Sequence, residues 1–132
     1  MAKYDVFISH STADDHWASQ FADVLRGEGI RTWSDQEVAP GESIPERMEE
    51  ALRESRMVVV FLTPDLLTSP STSFELGAAV AGNKKIVPIL RENLKRDQIP
   101  YHLRHLRFIQ ESSPDAAGKT VAELAKASMS TE

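Results

Sequence analysis

Apolar positions recur along this chain with two periods that take turns. Tyr4-Asp5-Val6-Phe7-Ile8-Ser9 is a short β-rich run closed by polar residues and reads as a first strand. Ser11 with Asp14, or Thr12 with Asp15, can cap the helix that follows. Trp17, Phe21, Val24 and Leu25 stand at i, i+4, i+7 and i+8, one stripe on that helix, and Gly29 is a plausible stop. Ile30-Arg31-Thr32-Trp33 predicts a second strand, and the polar stretch from Asp35 to Glu42 a loop turning at Pro40-Gly41. Ser43 with Glu46 makes a capping box for a second helix striped by Ile44, Met48, Ala51 and Leu52.

Met57-Val58-Val59-Val60-Phe61-Leu62 is nearly all apolar, the pattern of a central parallel strand covered on both faces. Ser69-Pro70 reads as the start of a third helix ending at Gly82-Asn83. Ile86-Val87-Pro88-Ile89-Leu90 is a fourth strand whose proline argues for an edge or a bulge. Leu106 to Ile109 predicts a fifth strand, and Asp115 to Ser128 a last helix bearing Val121, Leu124 and Ala125.

Strands that alternate with helices imply right-handed crossovers and a parallel sheet with helices on both faces. The expectation is a flavodoxin-like α/β three-layer sandwich, its five-stranded parallel sheet in the order 2-1-3-4-5. Ligands of such sheets sit at the carboxyl ends of the strands, where the order reverses between the first and third. Ser9 and His10 would line that crevice, with Thr63 and Pro64 opposite.

No repeat, low-complexity tract or linker interrupts the pattern, so the 132 residues are expected to form one domain, 1–132 with a core over about 4–128. The composition, 41% hydrophobic and 27% charged, is that of a folded globular protein. The apolar runs are far short of the ~20 residues that cross a bilayer, and the N-terminus lacks the shape of a signal peptide. There is no cysteine, which excludes disulfides, cysteine-ligated metals and thiol nucleophiles. These features fit a cytoplasmic protein without a membrane partner. A net charge of −5 disfavours direct nucleic-acid binding.

The charge is uneven. Between Asp35 and Glu50 six acids (Asp35, Glu37, Glu42, Glu46, Glu49, Glu50) face Arg47 alone. Between Lys84 and Arg107 seven bases (Lys84, Lys85, Arg91, Lys95, Arg96, Arg104, Arg107) face Glu92 and Asp97. Taken alone, this describes two solvated faces.

Glu75 is the acid that stands out. A helix beginning at Pro70 puts it in the second turn, near the positive end of the dipole, with Ser71 four residues earlier on the same face. The small residues Gly77-Ala78-Ala79-Val80-Ala81-Gly82 let that helix pack closely on the sheet. A carboxylate so held can stabilise a developing cation or bind ribose hydroxyls; on spacing alone, a glutamate placed for the dipole explains it better. His102 and His105 are better read as a surface pair than as metal ligands, and no metal site is expected. No G-x-G-x-x-G or Walker A motif occurs, so a Rossmann or P-loop site is unsupported.

Several segments together resemble Toll/interleukin-1 receptor (TIR) domains, in the bacterial style. Tyr4-Asp5-Val6-Phe7-Ile8-Ser9-His10-Ser11 is similar to the first signature box of that family. Trp33-Ser34-Asp35 with Pro40-Gly41-Glu42-Ser43-Ile44 resembles its second strand and BB loop. Ser55-Arg56 with Val58 to Pro64 is similar to its third strand, and Phe74-Glu75-Leu76-Gly77-Ala78-Ala79, followed by Lys84 to Ile89, resembles the segment around its catalytic glutamate. The resemblance spans about positions 4 to 109.

The resemblance implies one of two functions. One is an NAD glycohydrolase or cyclase, an NAD+ nucleosidase that breaks the nicotinamide–ribose bond to give nicotinamide and ADP-ribose or a cyclic isomer. It would be activated by self-association in bacterial immune or cell-death signalling. The other is a non-catalytic interaction module, a signalling scaffold or a virulence mimic of host TIR domains. NAD is then a substrate, and no cofactor is implied. Glu75 takes the catalytic position, and Ser9, His10, Trp33, Asp35, Ser71 and Phe74 the substrate-binding ones. Trp33 serves equally well as a ring to stack on and as a core anchor.

The BB loop, with Pro40, Gly41, Glu42, Ser43 and Ile44, would gate the pocket and meet the next subunit of a homotypic, head-to-tail assembly. In it the acidic and basic stretches would be the complementary faces. One departure stands out: NAD-cleaving members often carry Trp four residues before the glutamate, where this chain has Ser71. The chain can also be a domain excised from a longer protein.

Overall fold

Along each strand, alternate side chains go to opposite sides of one sheet, and both sides are apolar. The computed structural model describes residues 3–34, 38–64, 82, 84–90, 96–99, 103, 104 and 106–130. Among these, the strands are β1 (Tyr4–Ser9), β2 (Thr32–Trp33), β3 (Ser55–Leu62), β4 (Lys85–Leu90) and β5 (Ile109–Gln110). The helices are α1 (Asp15–Gly27), α2 (Ile44–Arg53) and α3 (Pro114–Ser130), with 3-10 turns at Thr12–Asp14 and Arg96–Gln98. All four strand pairings are parallel and the order is β2-β1-β3-β4-β5, as the alternating pattern predicted.

Val6, Ile8, Met57, Val59, Phe61, Val87 and Ile89 face α1 and α3, where they meet Trp17, Phe21, Leu25, Val121 and Ala125. Phe7, Val58, Val60, Leu62 and Leu90 face the other way, onto Trp33, Leu103, and Ala51 and Leu52 of α2. Burying one large apolar side chain contributes about 2 kcal/mol, so the two clusters account for most of the driving force. Phe61 meets Trp17 and Phe21 edge-on, at centroid distances of 4.7 Å and 5.2 Å. The Trp17 indole donates to the Ser112 carbonyl at 2.8 Å, which satisfies the polar end of a buried ring.

At the amino-terminal end of the sheet a charged lock replaces apolar contact. Asp5 is buried in β1. Its carboxylate accepts from Arg31 through Nε (3.2 Å), a terminal guanidinium nitrogen (3.0 Å) and the backbone N–H (2.9 Å), and Arg56 Nε lies 3.6 Å away. Burial pushes the Asp5 pKa up, but the hydrogen bonds and charge of Arg31, with the charge of Arg56, outweigh it and hold the carboxyl below its ordinary range. A lone acid inside an apolar strand was the visible sign that such a partner must exist.

Some local expectations need correction. β2 has two residues rather than four, and β5 begins at Ile109 rather than Leu106. Ile44 starts α2 but is 51% exposed, so the buried stripe of that helix is Ala51 and Leu52 with Met48 at its margin. Pro88 lies inside the sheet, opposite Val60 of β3. On the other side β5 reaches only Ile89 and Leu90, so at Pro88 β4 is locally an edge and the missing N–H costs little. Gly29, at φ +79°, ends α1 as expected. The helix expected from Ser69 to Asn83 lies outside the described residues except for Gly82, as do His102 and His105.

Candidate functional site

The parallel register brings the carboxyl ends of β1 and β3 side by side, Ser9 opposite Val60. Ser9 is the last residue of β1 and is buried. The chain then leaves the sheet at His10 and curls through the 3-10 turn into α1. The His10 side chain is only 1% exposed, so this residue offers the crevice its backbone more than its ring. Its Nδ1 donates to the Ser11 carbonyl at 2.9 Å and lies 3.4 Å from Asp15 Oδ1. A carbonyl only accepts, so Nδ1 carries a proton. The ring leans on Phe61 at 6.2 Å between centroids.

Opposite this loop stand Thr63, buried at the end of β3, and Pro64, exposed. Asp14 joins the two walls. Its Oδ2 accepts the Ser11 hydroxyl at 2.8 Å and the Thr63 hydroxyl at 3.0 Å. Both Asp14 and Thr63 are 7% exposed. Sequence reasoning took Asp14 for a helix cap and missed this contact. Asp14 does occupy the N-cap position of α1, yet its side chain makes no capping hydrogen bond. The available signal was the doubled acid Asp14-Asp15, more carboxylate than one helix start needs.

Trp33 is a core anchor. It is 1% exposed and stacks on Phe7, with ring centroids 5.0 Å apart and planes 19° from parallel. Of the two roles open to it from sequence, the burial of the ring and its stack on Phe7 match the core anchor. Asp35, Ser71, Phe74 and Glu75 lie outside the described residues.

The loop before α2 is built from local chemistry. Gly41 has φ +90° and follows Pro40, and the Glu42 N–H returns to the Ala39 carbonyl at 3.0 Å, a turn that needs glycine in its third position. Glu42 Oε1 accepts from the Ala39 N–H at 2.9 Å and Glu42 Oε2 lies 3.6 Å from Arg47 Nε, which straps the loop to the helix. Ser43 caps α2 through a long 3.5 Å contact to the Glu46 N–H. Ile44 follows, the single large hydrophobic residue exposed among the described residues.

The basic stretch is partly committed to the fold. Lys84 Nζ donates to the carbonyls of Arg53 (3.1 Å) and Ser55 (2.7 Å), and Arg104 Nε to that of Ile99 (2.8 Å). A groove of about 510 Å³ lined by Lys3, Tyr4, Arg26, Ile30 and Arg31 opens at the opposite end of the sheet from the crevice. Among the described residues no group of three or more His, Asp or Glu stands together as a metal site, and no helix is long and apolar enough to cross a membrane.

A family model described as TIR domain matches residues 6–125. The chain is 31% identical over 105 residues to the 2' cyclic ADP-D-ribose synthase AbTIR of Acinetobacter baumannii, covering 75% of this chain and 39% of that protein. It is 36% identical over 75 residues to the NAD(+) hydrolase TirS of Staphylococcus aureus, covering 55% and 27%. The chain therefore spans well under half the length of these curated relatives. Among solved structures, the TIR domain of the Toll-related receptor TRR-2 from Hydra magnipapillata superposes with a TM-score of 0.78 at 22% identity, over 94% of this chain and 99% of that one, a likeness of fold.

Proposed function

The chain belongs to the TIR domain family, and from that premise we propose that it is an NAD-cleaving enzyme with Glu75 as its catalytic carboxylate. The observation that carries this reading is the run Phe74-Glu75-Leu76-Gly77, in a chain 31% identical to a protein named as a cyclic ADP-ribose synthase. The reading is supported by the juxtaposition of the Ser9–His10 loop and Thr63 at the carboxyl ends of β1 and β3, the switch point at which open α/β sheets bind their ligands.

In the proposed reaction the bond between ribose C1′ and the nicotinamide nitrogen breaks, and its electron pair goes to the ring. The ring leaves as neutral nicotinamide, because it carried the positive charge beforehand, so no general acid is needed. The sugar becomes oxocarbenium-like, and a carboxylate in the Glu75 role stabilises that charge and orders the ribose hydroxyls. Water attacks C1′ and loses a proton to give ADP-ribose, or a hydroxyl of the same molecule attacks C1′ and loses its proton to give a cyclic isomer.

The test is NAD consumption by concentrated protein, with products separated by chromatography. Wild type is expected to consume NAD, and Glu75→Ala to lose at least about a hundredfold in rate. Wild-type protein that leaves NAD intact when crowded or immobilised would support the scaffold reading, which Ser71 in place of the family's tryptophan favours.

Head-to-tail self-association is the second part of the proposal. Exposed Ile44 is neighboured in sequence by Glu42, Glu46, Glu49 and Glu50, a patch suited to a basic face on the next copy. Reversing the charge at Arg91, Lys95 and Arg96 together is expected to abolish salt-sensitive association in light scattering; an unchanged particle mass would discard that face.

A further inference from the structure

We propose that Asp14 is a positioning residue of the crevice, holding the loop after β1 against the end of β3 so that the dinucleotide meets a preformed wall. The inference rests on the NAD-cleaving reading above.

Aspartate is among the best residues at a helix N-cap because its carboxylate accepts from the first free N–H groups. Asp14 holds that position and gives up that bond. Its carboxylate is instead buried and turned onto Thr63, 49 residues further along the chain. Burying a carboxylate is costly unless donors surround it, so its hydrogen bonds here are selective for one arrangement of the loop.

The tie works as a unit. Ser11 donates to the same oxygen, Oδ2, from within the loop, and the Asp14 N–H returns to the Ser11 carbonyl at 3.0 Å. His10 Nδ1 holds that carbonyl from the other side. The loop is therefore internally braced, and the Thr63 hydroxyl fastens the brace to β3. The β1–β3 register runs only as far as Ser9 and Val60. Beyond it, the Asp14–Thr63 contact sets the separation of the two walls, and a misplaced wall weakens substrate binding before it affects the bond-breaking step.

The test compares Asp14→Ala, Asp14→Asn and Thr63→Val with wild type in steady-state NAD turnover. Asp14→Ala and Thr63→Val are expected to raise KM about fivefold, the worth of one hydrogen bond, and to leave kcat within about twofold. Asp14→Asn is expected to recover most of the loss, since both hydroxyls converge on one oxygen and an amide carbonyl can take their place. An unchanged KM in the Ala and Val variants, or a loss confined to melting temperature, would overturn the proposal. If Asp14→Ala does not fold, Thr63→Val carries the test. If wild type does not consume NAD, the enzyme reading fails first, and amide hydrogen exchange decides the positioning role. Exchange at residues 9–14 must then rise about fivefold in Thr63→Val, and equal exchange would sink it.

Discussion

At the amino-terminal end of the sheet Asp5 is buried beneath two arginines, and at the carboxyl-terminal end Asp14 is buried beneath two hydroxyls. Both are carboxylates buried at an end of the sheet, and both join segments distant in the chain. The Asp5 lock answers charge with charge, and the Arg31 guanidinium reaches both of its carboxylate oxygens. Such bidentate contacts are strong and geometrically fixed. They tie β1 to the entry of β2 far from the crevice, so this end serves the fold. Among the described residues Asp14 is met by two hydroxyls, neutral donors that are each weaker, and it stands where loops meet over the proposed substrate site. A buried carboxylate thus has no fixed meaning: its donors and its end of the sheet decide whether it holds the scaffold or shapes a site.

The comparison can be broken most sharply at Asp5. Asp5→Ala should cost about 2–3 kcal/mol in urea unfolding, because it leaves two arginines without their shared carboxylate. Turnover per folded molecule should not change, since Asp5 touches no part of the crevice. A loss of kcat at equal folded fraction would erase the distinction between the ends. The same lock has a pH signature. With the folded pKa of Asp5 held below its ordinary value, its contribution is fully present above the unfolded carboxylate pKa of about 3.9 and disappears as pH falls through the folded one. Wild type should therefore lose its advantage over Asp5→Ala only in that acid window; a constant difference down to the lowest pH would contradict the shift.

A smaller effect is expected at Gly41, on the loop before α2. At φ +90° an alanine is strained by about 1 kcal/mol. Because the loop is strapped by Glu42 and Arg47 rather than packed in the core, Gly41→Ala should lower the unfolding midpoint slightly while disturbing self-association more. A variant that associates normally would remove the loop from the proposed interface.

Much of the fold could be read along the chain. The β1 span, the apolar run of β3 and the glycine stop of α1 follow from patterns a few residues long, because hydrophobic period and turn chemistry are local properties, and the sheet order follows from the alternation of strands and helices along the whole chain. The candidate site was legible in part. Ser9, His10 and Thr63 were placed at the crevice by topology alone, and that is where they stand. Glu75 was singled out by helix position and by resemblance, and it lies outside the described residues.

What local patterns could not supply was the choice of partners. Trp33 read equally as a stacking ring and as a core anchor until Phe7 closed over it. Ile44 fitted a helical stripe, yet α2 meets the sheet through Ala51 and Leu52 and leaves Ile44 in solvent. Asp14 looked like a cap until Thr63 claimed its carboxylate, and the partners of Asp5, Arg31 and Arg56, come from two other segments of the chain. Each outcome rests on groups brought together across 26 to 49 residues of chain in the hydrogen-bonded cases. The strength of such contacts depends on burial and distance, and these exist only once the sheet has formed.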